Sequence, residues 1–314
     1  MKRILFIINP SSARGRTRRL WAKVRPELAR LGIEVTEHLT TRAGQATEIT
    51  RRALNREFNC VVAVGGDGTL NEVVNGYLNE AGQAVNSSAT LGLLPSGTGS
   101  DFGRSLGLRT YRDFIRAVAA SSTRWVDVVR VVFRHKDGSI CSRFFSNAAT
   151  FGLGADAAAL VNQWREVLPR WVGGRLRYMA AAVCALERHR NVPVEVKLDG
   201  EPALEINSNL LVIANGRFTG GGMMLAPNAR LDDGLLDVIL TDRITRCDVL
   251  RELPRIQRGG HLKNPKVTES RAREVWISSG KSLAVAIDGE LAGYTPAHLS
   301  ILPSAVGFAV PEHS

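Results

Sequence analysis

The segment Gly65-Gly66-Asp67-Gly68-Thr69 sets a carboxylate in the middle of a glycine run. It follows the apolar residues 60–64 and opens a stretch with helical spacing at Leu70, Val73, Val74 and Tyr77. Glycines after a strand let the backbone approach a pyrophosphate, and free N–H groups at a helix start point at it. The lysine of a P-loop is missing, so this is not a Walker A site. Asp67 is then either the cap of a tight strand-to-helix turn or a carboxylate set among phosphate-facing amides. A second loop, LPSGTGSDF at 94–102, occupies the same position one strand later, and Asn9-Pro10-Ser11-Ser12 closes the first apolar run. Three polar strand-end loops would line one crevice. Far downstream stands Asp288-Gly289-Glu290, but the same triplet occurs at Asp199-Gly200-Glu201. Asp-Gly is a common hairpin dipeptide, so pattern alone favours neither copy.

The elements that must position these residues fall into two textures. Up to about residue 120, apolar runs at 4–8, 33–39, 60–64 and 90–94 alternate with helical patterns at 17–31, 45–54, 70–78 and 111–120. That alternation predicts a doubly wound parallel sheet, in which ligands sit at the carboxyl ends of the strands. From about Trp125 the texture is antiparallel β. Residues 194–199 alternate, 210–214 and 283–287 are apolar, and Asp-Gly pairs stand at 137, 199, 233 and 288. One helical stretch, about 171–189, interrupts it.

Over 314 residues the apolar fraction is 44% and the charged fraction 23%, which excludes disorder and fibre. No run approaches the roughly 20 apolar residues of a membrane span, and the apolar run after Met1-Lys2-Arg3 is too short for a signal peptide. Cys60, Cys141, Cys184 and Cys247 are widely spaced, as expected of reduced thiols in a cytoplasmic protein. The net charge of +11 asks for a negative partner: nucleic acid, an anionic membrane or a phosphorylated molecule. No nucleic-acid recognition motif is present. Trp164, Arg165, Arg170, Trp171, Arg175, Arg177 and Tyr178 form a basic, aromatic cluster suited either to a bilayer interface or to helix packing.

The ordered series of motifs resembles the diacylglycerol-kinase-type lipid kinases, the family that includes sphingosine kinases and bacterial lipid kinases. The resemblance runs through Asn9-Pro10, TTRAGQA at 40–46, the GGDGTLNEVVNG and LPSGTGSDF blocks, FGLGAD at 151–156, NGRFTGGG at 215–222, APNARLDDGLLDV at 226–238 and Ile287-Asp288-Gly289-Glu290. GGDGT alone is shared with NAD kinases. Ser100 departs from the bacterial pattern, which has asparagine there.

The resemblance implies a Rossmann-like, NAD kinase/diacylglycerol kinase-like α/β domain over 1–124, with a tail of about 304–314 returning to it. An antiparallel β-sandwich lipid-binding domain would span 125–303. The implied activity is transfer of the γ-phosphate of ATP to a lipid hydroxyl such as that of diacylglycerol, with Mg²⁺. Asn9, Thr40, Gly65, Gly66, Asp67, Gly68, Thr69, Leu70, Asn71 and Thr98 would hold the nucleotide. Glu290, with Asp288 beside it, would accept the hydroxyl proton. Asp67 would belong to a carboxylate group around catalytic Mg²⁺, with Asp101 a weaker candidate. Asp233, with the backbone carbonyls of Arg230 and Leu235, would hold a structural Mg²⁺. The lipid would be met peripherally at an anionic membrane, and free strand edges would allow a homodimer. The rival readings are an NAD kinase-like small-molecule kinase and a non-catalytic nucleotide or lipid sensor; the intact Asp67, Asp288 and Glu290 argue against the sensor.

Overall fold

The computed structural model describes residues 3–55, 58–97, 99–120, 122–164 and 172–312. The chain forms two compact units, Met1–Asp127 with Pro303–Ser314, and Val128–Leu302.

In the first unit, β1 (Ile4–Ile8), α1 (Arg16–Arg30), β2 (Val35–Leu39), α2 (Gln45–Leu54), β3 (Cys60–Gly65), α3 (Asp67–Tyr77), β4 (Thr90–Pro95), α4 (Asp101–Ser105) and α5 (Tyr111–Ala120) follow in turn. The strands pair in parallel in the order β4-β3-β1-β2. β1 and β3 are buried along their whole length and so read as unbroken apolar runs, whereas edge strand β2 carries exposed polar residues. Trp21, Val24 and Leu28 line the buried stripe of α1, with the Trp21 ring 4.9 Å from that of Phe6. The sheet is extended beyond β4 by the returning segment, where Phe308 pairs in parallel with Leu91 and its buried ring lies 5.1 Å from that of Phe102. Because the strands share one direction, Asn9, Thr40, Gly65 and Pro95 all emerge at the same sheet edge.

The second unit is antiparallel. Its elements are β5 (Ser122–Arg134, entering from the first unit), β6 (Ile140–Phe145), β7 (Ala148–Gly152), α6 (Leu153–Gln163), α7 (Gly174–Ala185), β8 (Val192–Leu198), β9 (Leu204–Ser208), β10 (Leu210–Ala214), β11 (Leu236–Thr241), α8 (Arg246–Glu252), β12 (Val267–Ala272), β13 (Glu274–Ser279), β14 (Ala284–Ile287) and β15 (Glu290–Val310, leaving towards the first unit). One run of strands is β12-β11-β10-β7-β14-β15, and β15-β13-β8-β9 forms another. Alternate side chains of these strands, among them Val131, Phe145, Phe151, Val196, Ile213, Val238, Val285 and Leu299, share one apolar core.

The unit holds more helix than its sequence pattern suggested. α6 is alanine-rich and buries Ala155, Ala157 and Ala158 against Ala181, Ala182 and Ala185 of α7, so it lacks a strong hydrophobic period. The short α8 starts with a capping box: Thr245 Oγ1 accepts from Asp248 N at 3.2 Å, and Asp248 Oδ2 accepts from Thr245 N at 2.9 Å. All four cysteines are free thiols, and no helix among the described residues is long and apolar enough to cross a membrane.

Candidate active site

The strand-end edge of the first unit is tied together by its own polar groups. Asn9, just past β1, donates from Nδ2 to Thr69 Oγ1 at 3.1 Å, while its Oδ1 accepts from Ser11 Oγ and Ser12 N. Thr17 and Ser96 share a hydroxyl–hydroxyl bond of 2.7 Å, joining the first turn of α1 to the loop after β4. Thr40 is buried past β2, with its N–H donating to Ile8 O at 2.8 Å. The two glycine loops touch through backbone. A Cβ on Gly97 would stand 2.7 Å from Gly66 Cα, and one on Gly65 would collide with the Thr69 side chain. These glycines keep the loops in backbone contact.

The GGDGTLNEVVNG block also organises its neighbours. The half-buried Asp67 carboxylate accepts from Asp101 N and Phe102 N, each at 3.2 Å, and so caps α4 rather than its own helix α3. Enclosure pushes its carboxyl above the ordinary range, against the pull of those N–H groups and of Arg104. Glu72 accepts from Gly44 N at 2.9 Å and Ala46 N at 3.0 Å, capping α2. Gly76 lets α2 cross closely, since a Cβ there would meet Thr47 O at 2.5 Å. Leu70 and Asn71 are both 1% exposed, and the Leu70 side chain belongs to the core. Thr98 lies outside the described residues. Ser100 holds the left-handed backbone, φ 47°, where asparagine is more at home than serine.

In the second unit, Asp288-Gly289 is the two-residue turn of the β14–β15 hairpin, with Ile287 paired to Glu290 and φ of 47° and 83° at the turn. Asp288 Oδ1 accepts from Asn147 N at 3.2 Å and Ala148 N at 3.1 Å, and Asp288 N donates to Ala148 O. The carboxylate of Asp288 therefore locks the turn. Glu290 reaches outward, partly exposed, with its Oε2 3.3 Å from Arg143 Nη2. Neither Arg143 nor Asn147 carries any sequence signal that would single it out.

The DDGLLD segment gathers acidic oxygens. Asp233 Oδ1 accepts from Leu235 N at 3.2 Å, Arg230 faces Asp232, and the fully buried Asp237 takes Arg271 Nε at 3.4 Å. Asp237 Oδ2 and Glu269 Oε1 are buried without a hydrogen-bond partner. Desolvation lifts the Asp237 carboxyl to about 6. Buried carboxylate oxygens without a partner suit a hard dication. No set of three His, Cys, Asp or Glu side chains among the described residues is grouped to hold a metal ion, so such a site would draw on backbone carbonyls.

The basic, aromatic cluster divides. Arg177 and Tyr178 are buried in α7, where Tyr178 packs in the helix core and its Oη donates to Gly154 O at 2.9 Å. Arg175 is exposed and reaches Gln257. Arg165, Arg170 and Trp171 lie outside the described residues.

An α/β unit with glycine loops at one sheet edge, followed in the chain by an antiparallel sandwich-like unit, is the architecture of the NAD kinase and diacylglycerol kinase type. Residues 3–131 match the diacylglycerol kinase catalytic domain, and residues 147–310 match the YegS C-terminal NAD kinase beta sandwich-like domain. Proteins named diacylglycerol kinase are similar over their length: 31% identity in Staphylococcus carnosus, over 99% of this chain and 96% of the relative, and 30% in Bacillus subtilis, over 99% and 97%. A diacylglycerol kinase structure from Bacillus anthracis superposes with TM-score 0.71 at 20% identity, over 99% of this chain and 97% of that one. An archaeal NAD kinase in complex with ATP, from Archaeoglobus fulgidus, shares the fold at TM-score 0.52 and 13% identity, over 99% and 94%. The chain belongs to the diacylglycerol kinase family and is a kinase of that family.

Proposed function

We propose that this kinase transfers the γ-phosphate of ATP to the free hydroxyl of a diacylglycerol-like lipid. The observation that carries the nucleotide half is the glycine contact between Gly66 and Gly97, which brings two N–H-rich loops together at the carboxyl edge of one parallel sheet. On this reading, backbone amides of Gly65–Asn71 and the loop after β4 hold the phosphates, Asn9 and Thr40 border them, and Asp67 keeps the second loop in register. Leu70 contributes through its backbone, because its side chain is buried.

Glu290 is the proton acceptor. The lipid O–H gives its proton to the carboxylate, its oxygen bonds to the γ-phosphorus, and the bond to the β–γ bridging oxygen breaks, releasing ADP. Asp288 shapes the turn from which Glu290 projects. Mg²⁺, when bound with ATP, supplies neutralisation of phosphate charge. A separate Mg²⁺ would be held by Asp233 and the carbonyls of Arg230 and Leu235, and its role is to close the acidic loop. The net charge of +11 supports peripheral work at an anionic membrane on the cytoplasmic side.

The test is ATP labelled in the γ position with diacylglycerol in mixed micelles, and in parallel with NAD. Label in phosphatidic acid, lost in Glu290→Gln by about a hundredfold or more, is the expected result. NADP formation without labelled lipid would overturn the reading. Chelation should lower the Tm of the wild type and leave that of Asp233→Ala unmoved; an equal response of both would remove the structural cation.

A further inference from the structure

The two Asp-Gly-Glu triplets fold alike, which makes their differences informative. Asp199 has φ 50°, its Oδ1 accepts from Arg273 N and Glu274 N at 2.8 Å each, and its N–H donates to Glu274 O at 3.0 Å. Asp288 repeats this pattern with Asn147, Ala148 and Ala148 O. In both copies the aspartate fastens a hairpin turn to the start of the neighbouring strand. That shared role is structural.

The second copy has two further attachments. Asn162, at the end of α6, donates from Nδ2 to Gly289 O at 3.0 Å. Arg143, on β6, donates from Nη2 to Glu290 Oε2 at 3.3 Å, its own side chain only 29% exposed. Just beyond the turn, β14 and β15 change register between Val285 and Ala286, a bulge of the kind that re-aims side chains. Gly293 then lets β5 approach, because a Cβ there would meet Arg134 O and Phe133 Cδ2 at 2.5 Å. A glutamate on a two-residue turn, with a side chain 44% exposed, would otherwise sample several rotamers.

We infer that Arg143 and Asn162 are positioning residues for Glu290: Asn162 fixes the backbone of the turn and Arg143 fixes the carboxylate, so that one oxygen is held and the other is presented to the substrate hydroxyl. The inference rests on Glu290 being the proton acceptor. The fork of Arg143 has a fixed plane that a lysine lacks, so it sets direction as well as charge. Neither residue needs to touch nucleotide or lipid to act, and misplacing a reacting group by about 1 Å can cost about a hundredfold in rate.

The experiment measures kcat and KM for ATP and for diacylglycerol in Arg143→Gln, Arg143→Lys, Asn162→Leu, Glu290→Gln and the Arg143→Gln/Glu290→Gln double variant, with Tm for each. A fall in kcat of about tenfold or more in Arg143→Gln and in Asn162→Leu is expected, with both KM values within about twofold. Arg143→Lys should recover part of the loss, and the double variant should be no slower than Glu290→Gln. If Glu290→Gln is inactive while Arg143→Gln and Asn162→Leu turn over like the wild type, the positioning role falls and the base stands. A double variant slower than Glu290→Gln in proportion would also overturn it, by making Arg143 a group that acts on substrate. Full activity in Glu290→Gln removes the base and this inference together. Should Arg143→Gln fail to fold, Asn162→Leu and Arg143→Lys decide in the same way.

Discussion

Replacing Asp67 by alanine should separate its capping work from any part in the chemistry. Its two oxygens receive the N–H groups of Asp101 and Phe102, both at 3.2 Å. A buried N–H left without an acceptor costs about 1–3 kcal/mol, so two would cost about 2–6 kcal/mol. Two effects reduce this. Asp67 is only half-buried, so water can replace part of the bonding, and removal also relieves the desolvation that raises its carboxyl. A net loss of about 2 kcal/mol is expected, or about 4–8 °C in Tm for a unit of this size. Scanning calorimetry on Asp67→Ala and Glu290→Gln gives the comparison. Asp67→Ala should melt early and show a raised KM for ATP, because the loop after β4 loses its anchor. Glu290→Gln should melt with the wild type. If Asp67→Ala melts with the wild type while phosphoryl transfer disappears, the capping argument is refuted and the carboxylate acts directly on the reactants.

Two other perturbations test local physics. Ser100→Asn should raise Tm by about 1–3 °C, since asparagine tolerates the left-handed backbone that serine holds at φ 47°; a lower Tm would mean that the Ser100 Oγ bond to Gly97 O matters more. Asp248 is held down to about 2 by Lys266 at 2.6 Å and by Thr245. Its folded-state value lies below the unfolded one of about 3.9, so its stabilisation is present above that pH and fades as pH falls through about 2. Asp248→Asn should therefore melt a few degrees early at pH 7 and approach the wild type near pH 2; a constant gap across that range would deny the link.

The parts of the fold that were readable are those fixed by local pattern. β1 and β3 are covered on both faces and appear as unbroken apolar runs, and the glycine loops stand out because no other residue tolerates their contact. Asp67 was legible as an important carboxylate but not as the cap of α4, because its partners lie 34 and 35 residues away. The duplicated Asp-Gly-Glu was readable as a pair of turns, while the attachments that distinguish the second copy were hidden. Arg143 and Asn162 reach it across 147 and 127 residues, brought there by strand pairing and helix placement that leave no local mark. α8 did leave one, in the Thr245 to Asp248 spacing, but a seven-residue helix is too short for its apolar period to register.

The return of residues 303–312 to the first unit has a consequence for synthesis. The sandwich-like unit is one continuous stretch, Val128–Leu302, and can close as soon as it leaves the ribosome. The α/β unit is encoded first yet has to wait, with the flank of β4 uncovered, until Phe308 arrives beside Leu91. Nascent chains would thus complete their parallel sheet last, and a chain stopped near residue 302 would carry a finished sandwich-like unit and an open-edged sheet, prone to strand-edge aggregation.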